Sequence, residues 1–328
     1  MDKGTIFSGM RPTGRLHIGH LSVLENWVKL QDEYKCYFGI VDWHALTTSF
    51  DATEEIQGNI RQMLLDWLSA GLDPEKSPIF VQSSVKEHGE LHLLLSMITP
   101  LSWLERIPTY KDQLQQLGSQ GKDISTYGFL GYPLLMAADI LVYRANAVPV
   151  GEDQLPHLEF TREIARRFHH LFGQEILPEP QAILAKVAML PGVDGRKMSK
   201  SYNNDIPLSA TPEEIWQKVQ MMVTDPARIK KSDPGHPDVC IVHTYQNIYN
   251  TDEVEELREN CCQGKIGCVE CKKRLAAILD KKLAPLREKR AYYAEKPELL
   301  QEILETSSEK ARAAAGETME LVRSAMHI

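Results

Sequence analysis

Long hydrophobic runs are lacking: no apolar stretch approaches the roughly twenty residues that a membrane-spanning helix needs. The first residues also lack the charged and apolar regions of a signal peptide. These two absences predict a cytoplasmic protein with no membrane segment. Internal repeats and low-complexity linkers are missing as well, so no repeat architecture is indicated.

An excess of positive charge is lacking too. Lys and Arg number 37 against 45 Asp and Glu, a formal net charge of −8, so the chain as a whole is not a polyanion binder and only a local basic patch could serve that role. With 43% hydrophobic and 25% charged residues, the composition is that of a soluble globular enzyme. The 328 residues predict about two domains.

Cysteine is scarce outside one region. Of six cysteines, Cys36 stands alone in an apolar run and is interpreted as a core residue. The other five lie between Cys240 and Cys271, and in a cytoplasmic protein such a cluster indicates a metal rather than disulfides. Four thiolates could hold Zn²⁺ or an iron–sulfur cluster, and unmetallated cysteines are the alternative. The spacing C-x20-C-x6-C-x2-C selects Cys240, Cys261, Cys268 and Cys271, with Cys262 as an alternative second ligand.

Strand-like runs and helical periods alternate in the first third of the chain. The pattern predicts an α/β fold with a doubly wound parallel sheet. In such sheets ligands bind at the carboxyl ends of the strands, which brings the loop 8–20 and the stretch 42–44 to one edge. The predicted strands are 5–7, 36–41 and 78–82, and the predicted helices are 18–32, 53–70 and 89–98.

The rest of the chain divides into a mixed part and a helical part. The polar segment 108–123 is predicted to be a mobile loop carrying Lys111, and a strand at 148–151 is followed by a helix at 152–171. From Thr211, an N-cap followed by a proline and two acids, the pattern stays helical. We expect a catalytic domain at 1–206, with a helical insertion at about 105–175, and an all-helical domain at 207–328.

The string R-P-T-G-R-L-H-I-G-H at 11–20 lies where the first strand turns into a helix. Free backbone N–H groups and the helix dipole make such a terminus an anion site. His17 and His20 share one helix face and could reach one phosphate. Gly19 has no side chain, which lets a flat base approach the backbone. The alternative is a pair of surface histidines at a helix start.

A second string, K-M-S-K-S at 197–201, follows a flexible Gly-rich lead. Two mobile lysines, Lys197 and Lys200, can neutralise the charge that builds on phosphates during displacement. The alternative is a solvated basic loop. Taken together and in this order, the two strings predict a site that handles ATP.

Asp139 is an isolated acid in an apolar helical segment, so it should have a partner. Tyr132, Met136 and Asp139 fall on one helix face. An aromatic ring, a thioether and an acceptor could bind a flat ring that bears an N–H, and an acceptor left unpaired rejects rings without one. A buried salt bridge is the alternative. Asp153 or Gln154 could hold an ammonium group or a ribose hydroxyl. Glu152 and Asp153 are also ordinary first-turn acids, and for these residues alone that interpretation is favoured.

The segment 265–290 is strongly basic, with nine Lys and Arg against three acids, a local balance of +6. Tyr292 and Tyr293 follow it as candidates for base stacking. A basic helix beside a metal site is typical of nucleic-acid binding. The alternative is a solvated helix face.

H-I-G-H followed by K-M-S-K-S resembles the class I aminoacyl-tRNA synthetases. Further segments resemble the bacterial tryptophanyl-tRNA synthetases, and the likeness runs from residue 5 to about 230, with a looser fit beyond. These segments are F-S-G-M-R-P-T-G at 7–14, L-E-R at 104–106 with Lys111, Y-P-L-L-M-A-A-D at 132–139 and V-P-V-G-E-D-Q at 148–154.

The resemblance implies a Rossmann-type catalytic domain and a helical anticodon-binding domain, assembled as a homodimer. It implies activation of L-tryptophan by ATP and Mg²⁺ to tryptophanyl-adenylate, then transfer to tRNA(Trp). The implied catalytic residues are Lys111, Lys197, Lys200, His17 and His20. The implied tryptophan-binding residues are Asp139, Tyr132, Met136, Gln154, Phe7, Gly9 and His44. The implied ATP-binding residues are Arg11, where many relatives have Gln, and Pro12, Thr13, Gly19, His20, Gly151, Glu152, Asp153, Ala188, Lys197, Met198, Ser199, Lys200 and Ser201.

Some bacterial members of that family carry a [4Fe–4S] cluster near the anticodon-binding region, with the spacing C-x22-C-x6-C-x2-C. This chain matches the last two gaps, while the gap after Cys240 is two residues shorter, a loss that a loop tolerates. The resemblance therefore favours a [4Fe–4S] cluster, with Zn²⁺ as the alternative. There are two alternatives to the ligase function. A non-catalytic RNA-binding paralogue is disfavoured by the intact motifs. Another H-x-G-H nucleotidyltransferase would need neither the Asp139 pocket nor the basic helix.

Overall fold

Five parallel strands form one sheet in the part of the chain that the structure describes, a computed structural model that covers residues 3–118, 123–184 and 190–328. The order across the sheet is β3-β2-β1-β4-β5. The winding direction reverses between β1 and β4, which is where doubly wound sheets bind ligands. The strands are β1 (Thr5–Met10), β2 (Lys35–Ile40), β3 (Ile79–Val81), β4 (Ala147–Val150) and β5 (Gln181–Leu184).

Helices flank the sheet and make up the region after it. Those up to β5 are α1 (Leu21–Leu30), α2 (Asp42–Ser49), α3 (Ile56–Ala70), α4 (Glu87–Ser96), α5 (Leu101–Glu105), α6 (Pro108–Gly118), α7 (Tyr127–Leu130), α8 (Tyr132–Leu141) and α9 (Leu155–Phe172). Those after it are α10 (Pro212–Met221), α11 (Ile241–Tyr249), α12 (Val254–Cys262), α13 (Cys268–Ala294) and α14 (Pro297–Met326).

Alternate strand residues enter two hydrophobic cores, one on each face of the sheet, because successive side chains of a strand point in opposite directions. Ile6 and Phe38 belong to the core that α1 and α3 complete. Phe7 and Tyr37 belong to the core built with α4, α8 and α9. Burial on both faces is typical of a parallel sheet, and the predicted doubly wound α/β fold is confirmed.

The helical C-terminal region lies against the sheet region. Helix α13 packs along α3, and its Leu275, Leu279 and Leu283 are fully buried in the same core as α1. Helix α14 packs against β3 and α4 and contributes Ala311 and Met319 to the other core. The region after 206 is therefore helical, as expected, and shares both cores with the sheet. The segment at about 105–175, expected to be a helical insertion, also supplies strand β4.

Two local predictions are wrong. Residues 108–118, expected to be a mobile loop, form α6, which begins at Pro108, a residue suited to the first turn of a helix; residues 119–122 lie outside the described chain. The helix expected from 152 begins at Leu155, after a 3-10 turn at Glu152–Gln154. Helix α2 has no counterpart among the predicted helices, since Thr47 and Thr48 have low helix propensity. Within the described residues, no helix is long and apolar enough to cross a membrane.

Candidate active site

A cavity of about 380 Å³ opens at the carboxyl ends of β1, β2 and β4. The end of β1, the start of α2, the face of α8 and the turn after β4 supply most of its wall. Arg11 and Gly151, from the predicted ATP site, line it as well, so the two predicted subsites adjoin. All seven residues expected to bind an amino acid line it: Phe7, Gly9, His44, Tyr132, Met136, Asp139 and Gln154.

Asp139 lies in this wall and is only 1% exposed. Gln82 Nε2 donates to both its carboxylate oxygens, at 2.7 Å to Oδ1 and 2.9 Å to Oδ2. His88 Nδ1 lies 2.7 Å from Oδ1, and His44 Nε2 lies 3.0 Å from Oδ2. Burial by itself raises the pKa of Asp139, but the hydrogen bonds from His44 and His88 outweigh it and lower the pKa to about 2. The group is therefore an ionised acceptor at neutral pH.

Gln82 and His88 are absent from the site predicted from the sequence. Gln82 directly follows β3, so the rule that ligands gather at the carboxyl ends of strands could have selected it. His88 lies on α4 and is fully buried, and nothing in the local sequence distinguishes it from a core histidine. Its contact with Asp139 spans 51 residues of chain.

Tyr132 belongs to a second hydrogen-bonded group in the cavity wall. Its hydroxyl lies 2.7 Å from Thr109 Oγ1, which lies 2.9 Å from His157 Nε2. Burial lowers the pKa of His157, so its ring is neutral at pH 7. The group orients the Tyr132 hydroxyl. Thr109 was not predicted because α6 was expected to be a loop, and His157, on α9, was not singled out either.

The H-I-G-H string forms a 3-10 turn, Ile18–His20, directly before α1. The rings of His17 and His20 lie with their centroids 3.9 Å apart. Burial, with the nearby positive charge of Lys200, lowers the pKa of His17 to about 4. Burial, with the charges of His17 and Lys200, lowers the pKa of His20 to about 3. Both rings are neutral at pH 7, so they can serve a nucleotide as hydrogen-bond donors but not as cations.

K-M-S-K-S lies against this turn. Lys200 Nζ donates to the carbonyl oxygen of Thr13 at 2.6 Å. Met198 is buried and packs beside Gly19: if Gly19 carried a Cβ, that atom would lie 3.6 Å from the Met198 sulfur. Burial lowers the pKa of Lys200. The two strings, more than 170 residues apart, thus meet at one place.

The remaining predicted residues are less closely engaged. Lys111 on α6 and Lys197 are exposed to solvent, as are Glu152 and Asp153 in the turn after β4. Gln154 Nε2 donates to Asp153 Oδ2 at 2.7 Å. Pro12 is buried, the Ser199 N–H donates to Asn204 Oδ1 at 2.8 Å, Ser201 lies in the 3-10 turn Lys200–Tyr202, and Ala188 lies outside the described residues.

Arg11 places a cation at the junction of the two subsites. One of its Nη atoms hydrogen-bonds to Thr48 Oγ1. Its Nε is buried and has no hydrogen-bond partner among the described residues. Burial lowers the pKa of Arg11, although an arginine remains charged at neutral pH. A buried, incompletely bonded guanidinium is costly unless an anion joins it.

An ion pair between Arg290 on α13 and Asp66 on α3 also reaches the turn before H-I-G-H, because Asp66 accepts a backbone N–H from that turn. Asp66 on α3 is fully buried, and its Oδ2 accepts the Leu16 N–H at 2.6 Å. Its Oδ1 accepts Arg290 Nε at 2.8 Å, and Arg290 also bonds to Gln62. Burial raises the pKa of Asp66 despite the bonds from Leu16 and Arg290, which lower it. Arg290 is therefore engaged within the chain and only partly exposed, and its interpretation as a nucleic-acid contact stays a prediction.

The rest of the basic segment is partly engaged within the chain. Lys282 pairs with Glu25 at 2.7 Å, and Lys272 Nζ donates to the Gln220 carbonyl at 2.8 Å. Fewer basic side chains of segment 265–290 are therefore available to a polyanion than the nine counted in its sequence. Its exposed basic residues are Lys265, Lys273, Arg274, Lys281, Lys282 and Lys289.

Four of the clustered cysteines converge where α11, α12 and α13 meet. Burial, with the neighbouring Cys240, Cys261 and Cys268, raises the pKa of Cys271 to about 11. Cys261 interacts in the same way with Cys240 and Cys268. Cys262 is exposed. The four cysteines selected by spacing are therefore neighbours in space, with Cys261 rather than Cys262 in the group.

Arg228 is the cation beside these thiols. Its Nη1 lies 3.6 Å from Cys261 Sγ and 4.0 Å from Cys268 Sγ. Gln246 Nε2 lies 3.8 Å from Cys271 Sγ. Among the residues described, however, no group of three or more His, Cys, Asp or Glu is arranged to hold a metal ion. The cysteines come together without displaying a formed metal site.

Comparisons with known proteins agree with one another. Residues 2–284 match the family model of class I tRNA synthetases (W and Y). The chain is 52% identical to the tryptophan–tRNA ligase of Thermotoga maritima and 44% identical to that of Aquifex aeolicus, in each case over 98% of this chain and 99% of that protein. A structure of Campylobacter jejuni tryptophanyl-tRNA synthetase, complexed with ADP and tryptophan, is similar with a TM-score of 0.89 and 33% identity, over 99% of this chain and 100% of that one.

Proposed function

We propose, from the premise that this chain belongs to the family of class I tRNA synthetases for tryptophan and tyrosine, that the cavity beside Asp139 binds L-tryptophan and the H-I-G-H turn binds ATP. The reaction is that of a tryptophan–tRNA ligase: ATP activates tryptophan as tryptophanyl-adenylate, and the tryptophanyl group is then transferred to tRNA(Trp). The observation that carries the residue assignment is the ionised carboxylate of Asp139 in a mostly apolar cavity.

Recognition of the side chain rests on Asp139 and the groups around it. The indole N–H donates to the carboxylate on the side that lines the cavity, next to His44. The indole ring lies among Phe7, Met136 and Tyr132, which supply aromatic and thioether contacts. An aromatic ring without an N–H leaves the carboxylate short of a partner and is rejected.

Adenylate formation joins a tryptophan carboxylate oxygen to the α-phosphorus of ATP, and the bond from that phosphorus to the β-bridging oxygen breaks to release pyrophosphate. Lys200, held at Thr13, neutralises the charge that develops on the phosphates, with Lys197 and Lys111 in supporting positions. His17 and His20 donate hydrogen bonds as neutral rings. Mg²⁺ enters with the nucleotide and adds charge neutralisation.

Arg11 links the two reactants. Its guanidinium lines the tryptophan cavity and has a buried Nε without a partner in the described structure. The tryptophan carboxylate or the α-phosphate supplies the missing anion as the two approach each other. Arg11 thereby aligns the attacking oxygen with the phosphorus, which is the positional part of the catalysis.

The decisive experiment is exchange of pyrophosphate into ATP, measured with each of the twenty amino acids. We expect exchange with tryptophan, and its loss in Asp139→Ala. Asp32→Ala, which removes an exposed aspartate paired with Lys76, serves as the matched control and should keep wild-type exchange. No exchange with tryptophan would indicate a non-catalytic RNA-binding protein. Exchange that depends on another acceptor and ignores tRNA would indicate a different H-x-G-H nucleotidyltransferase.

For the cysteine group we propose a [4Fe–4S] cluster held by Cys240, Cys261, Cys268 and Cys271. The chemistry of the donor set fits it: four thiols are neighbours, Arg228 offers its Nη1 hydrogens to two of them, and Cys268 lies in the first turn of α13, where negative charge is favoured. The ligands of a four-iron cluster stand further apart than those of one Zn²⁺, which binds sulfur at about 2.3 Å. Four cysteines that are neighbours without being arranged to hold a single metal ion are therefore compatible with a four-iron cluster.

Purification without oxygen and metal analysis test this. The cluster predicts a brown protein with iron and sulfide. The colour should be lost in Cys268→Ala but kept in Cys262→Ala, which removes the exposed cysteine outside the group. A colourless protein with stoichiometric zinc would overturn the iron assignment.

Assembly and domain roles are proposed as well. Exposed apolar side chains on and near α4 and α5, Leu93, Met97 and Leu101, support a homodimer, since single chains rarely leave such residues together in water. Sedimentation at micromolar concentration should give twice the chain mass, and a monomer would refute the dimer. We assign 1–206 to catalysis and 207–328 to anticodon binding, with the exposed lysines of α13 facing tRNA(Trp). The cytoplasmic location stays a prediction.

A further inference from the structure

The carboxylate of Asp139 has a hidden side and a side that faces the cavity. His44 and Asp139 line the cavity, while His88 is fully buried behind the carboxylate. Oδ1 is bonded from that hidden side by His88 Nδ1 at 2.7 Å, with Gln82 Nε2 shared between both oxygens. A bound tryptophan ring can approach only from the cavity side, so His88 never touches it.

The proton positions in this chain of contacts follow from the acceptor. An ionised carboxylate can only accept, so His88 Nδ1 carries a proton and donates it to Oδ1. The other ring nitrogen, Nε2, lies 2.7 Å from the Tyr143 hydroxyl. Burial, and then the negative charge of Asp139, raises the pKa of Tyr143 well above its usual value, so the phenol keeps its proton and donates it to Nε2.

The surroundings leave this arrangement little freedom. The Tyr143 ring stacks on Tyr37 at 4.4 Å between centroids and on Phe7 at 5.7 Å, and Phe7 itself lines the cavity. The His88 ring lies 5.9 Å from that of Phe80. A ring flip of His88 would put Cδ2 in the place of Nδ1 and Cε1 in the place of Nε2. It would break the hydrogen bonds to both Asp139 and the Tyr143 hydroxyl, so these two bonds oppose the flip.

We propose that His88, oriented by Tyr143, is a positioning residue that gives the pocket its selectivity for a ring N–H. By donating to Oδ1 from behind, His88 holds the Asp139 carboxylate charged, acceptor-only and fixed in rotation. The substrate N–H then meets this carboxylate on the cavity side, where Oδ2 is also contacted by Gln82 and His44. Without that donor, the buried carboxyl group can take up a proton or turn. A protonated carboxyl group has a donor of its own and tolerates rings that lack an N–H.

This inference rests on the proposed tryptophan site and makes a separate claim about it. The readout is a ratio: kcat/KM in pyrophosphate exchange for tryptophan, divided by kcat/KM for its analogue in which sulfur replaces the indole N–H. His88→Leu removes the donor and should lower the ratio at least about tenfold, the effect of one lost buried hydrogen bond. His88→Asn carries an N–H near the position of Nδ1 and should restore most of the ratio.

Tyr143→Phe keeps the stacked ring and removes only the hydroxyl, so it should lower the ratio in the same direction by a smaller factor. Equal losses for both amino acids in His88→Leu would overturn the proposal, because a merely structural role weakens both alike. A ratio in His88→Asn as low as in His88→Leu would also overturn it. Absence of tryptophan-dependent exchange by the unaltered chain would instead refute the proposed function, and the inference with it.

Discussion

Replacing Arg290 with methionine breaks its ion pair with Asp66 on α3, the residue that also accepts the Leu16 N–H before H-I-G-H. The methionine keeps much of the aliphatic volume and removes the guanidinium. Asp66 then loses its bond from Arg290 Nε at 2.8 Å and keeps only the one from the Leu16 N–H at 2.6 Å. Since Asp66 is fully buried, water cannot replace the lost partner without disturbing the packing of α3 and α13.

Breaking a buried pair by removing one partner costs about 3–5 kcal/mol, because an uncompensated charge stays behind. The surviving bond from Leu16 places the expected loss for Arg290→Met near the lower end, at about 3 kcal/mol. The double variant Asp66→Asn with Arg290→Met removes both charges, and its loss should be well below the sum of the two single losses.

Urea unfolding followed by circular dichroism at pH 7 measures these losses, with Lys289→Met as the control at the adjacent, exposed position. Burial raises the pKa of Asp66, so the folded chain binds a proton there more readily than the unfolded chain. Stability linked to that proton is present at low pH and lost as the pH rises through the folded pKa. Arg290 lowers the pKa of Asp66, so its removal raises that pKa further, and the variant gains more stability from the proton than the unaltered chain. The deficit of Arg290→Met should therefore shrink as the pH is lowered.

The same variant tests the route from α13 to the nucleotide. Leu16 immediately precedes His17, so a looser Asp66 should raise the KM for ATP in pyrophosphate exchange several-fold while the KM for tryptophan changes little. The reasoning would be refuted by a loss no larger than that of Lys289→Met, or by single losses that simply add in the double variant.

Three further outcomes are expected. Lys200→Ala should lower kcat for exchange by about 10²–10³, the usual effect of removing one donor that stabilises developing charge, and a loss under threefold would contradict its role. Because burial lowers the pKa of His17 to about 4 and of His20 to about 3, the unfolded chain takes up protons first as the pH falls below about 6.5; stability should decline from pH 7 to 4, less so in His17→Gln. If the cysteine group supports the structure of α13, Cys268→Ala should weaken tRNA binding in a filter assay more than adenylate formation. Equal effects would argue against that structural role.

Local sequence was sufficient for the elements with strong patterns. Strands β1 and β2 are short apolar runs bounded by turn residues, and α3 has an apolar stripe, so each was predicted with ends shifted by a few residues. Helices α6 and α2 were missed because their stability comes from packing rather than from their own residues. Thr109 on α6 shows this, since its hydrogen bonds reach Tyr132 and His157.

Chemistry that depends on residue type was also readable from the chain. H-I-G-H, K-M-S-K-S and Asp139 each combine side chains with a spacing that a short helix or turn presents on one side. These local arrangements indicated ATP and a flat ring that bears an N–H.

The protonation states and hydrogen-bond partners of the site residues depend on how distant segments pack. The sequence placed Arg290 among exposed cations, whereas the fold turns it towards Asp66, 224 residues away in the chain. His17 and His20 could have been cations, but burial makes them neutral. A hydrogen bond or a pKa depends on distances and burial, which no local pattern contains. Residue types and their spacing therefore identify the groups that carry the chemistry, whereas the packing of distant segments sets their charges and their partners.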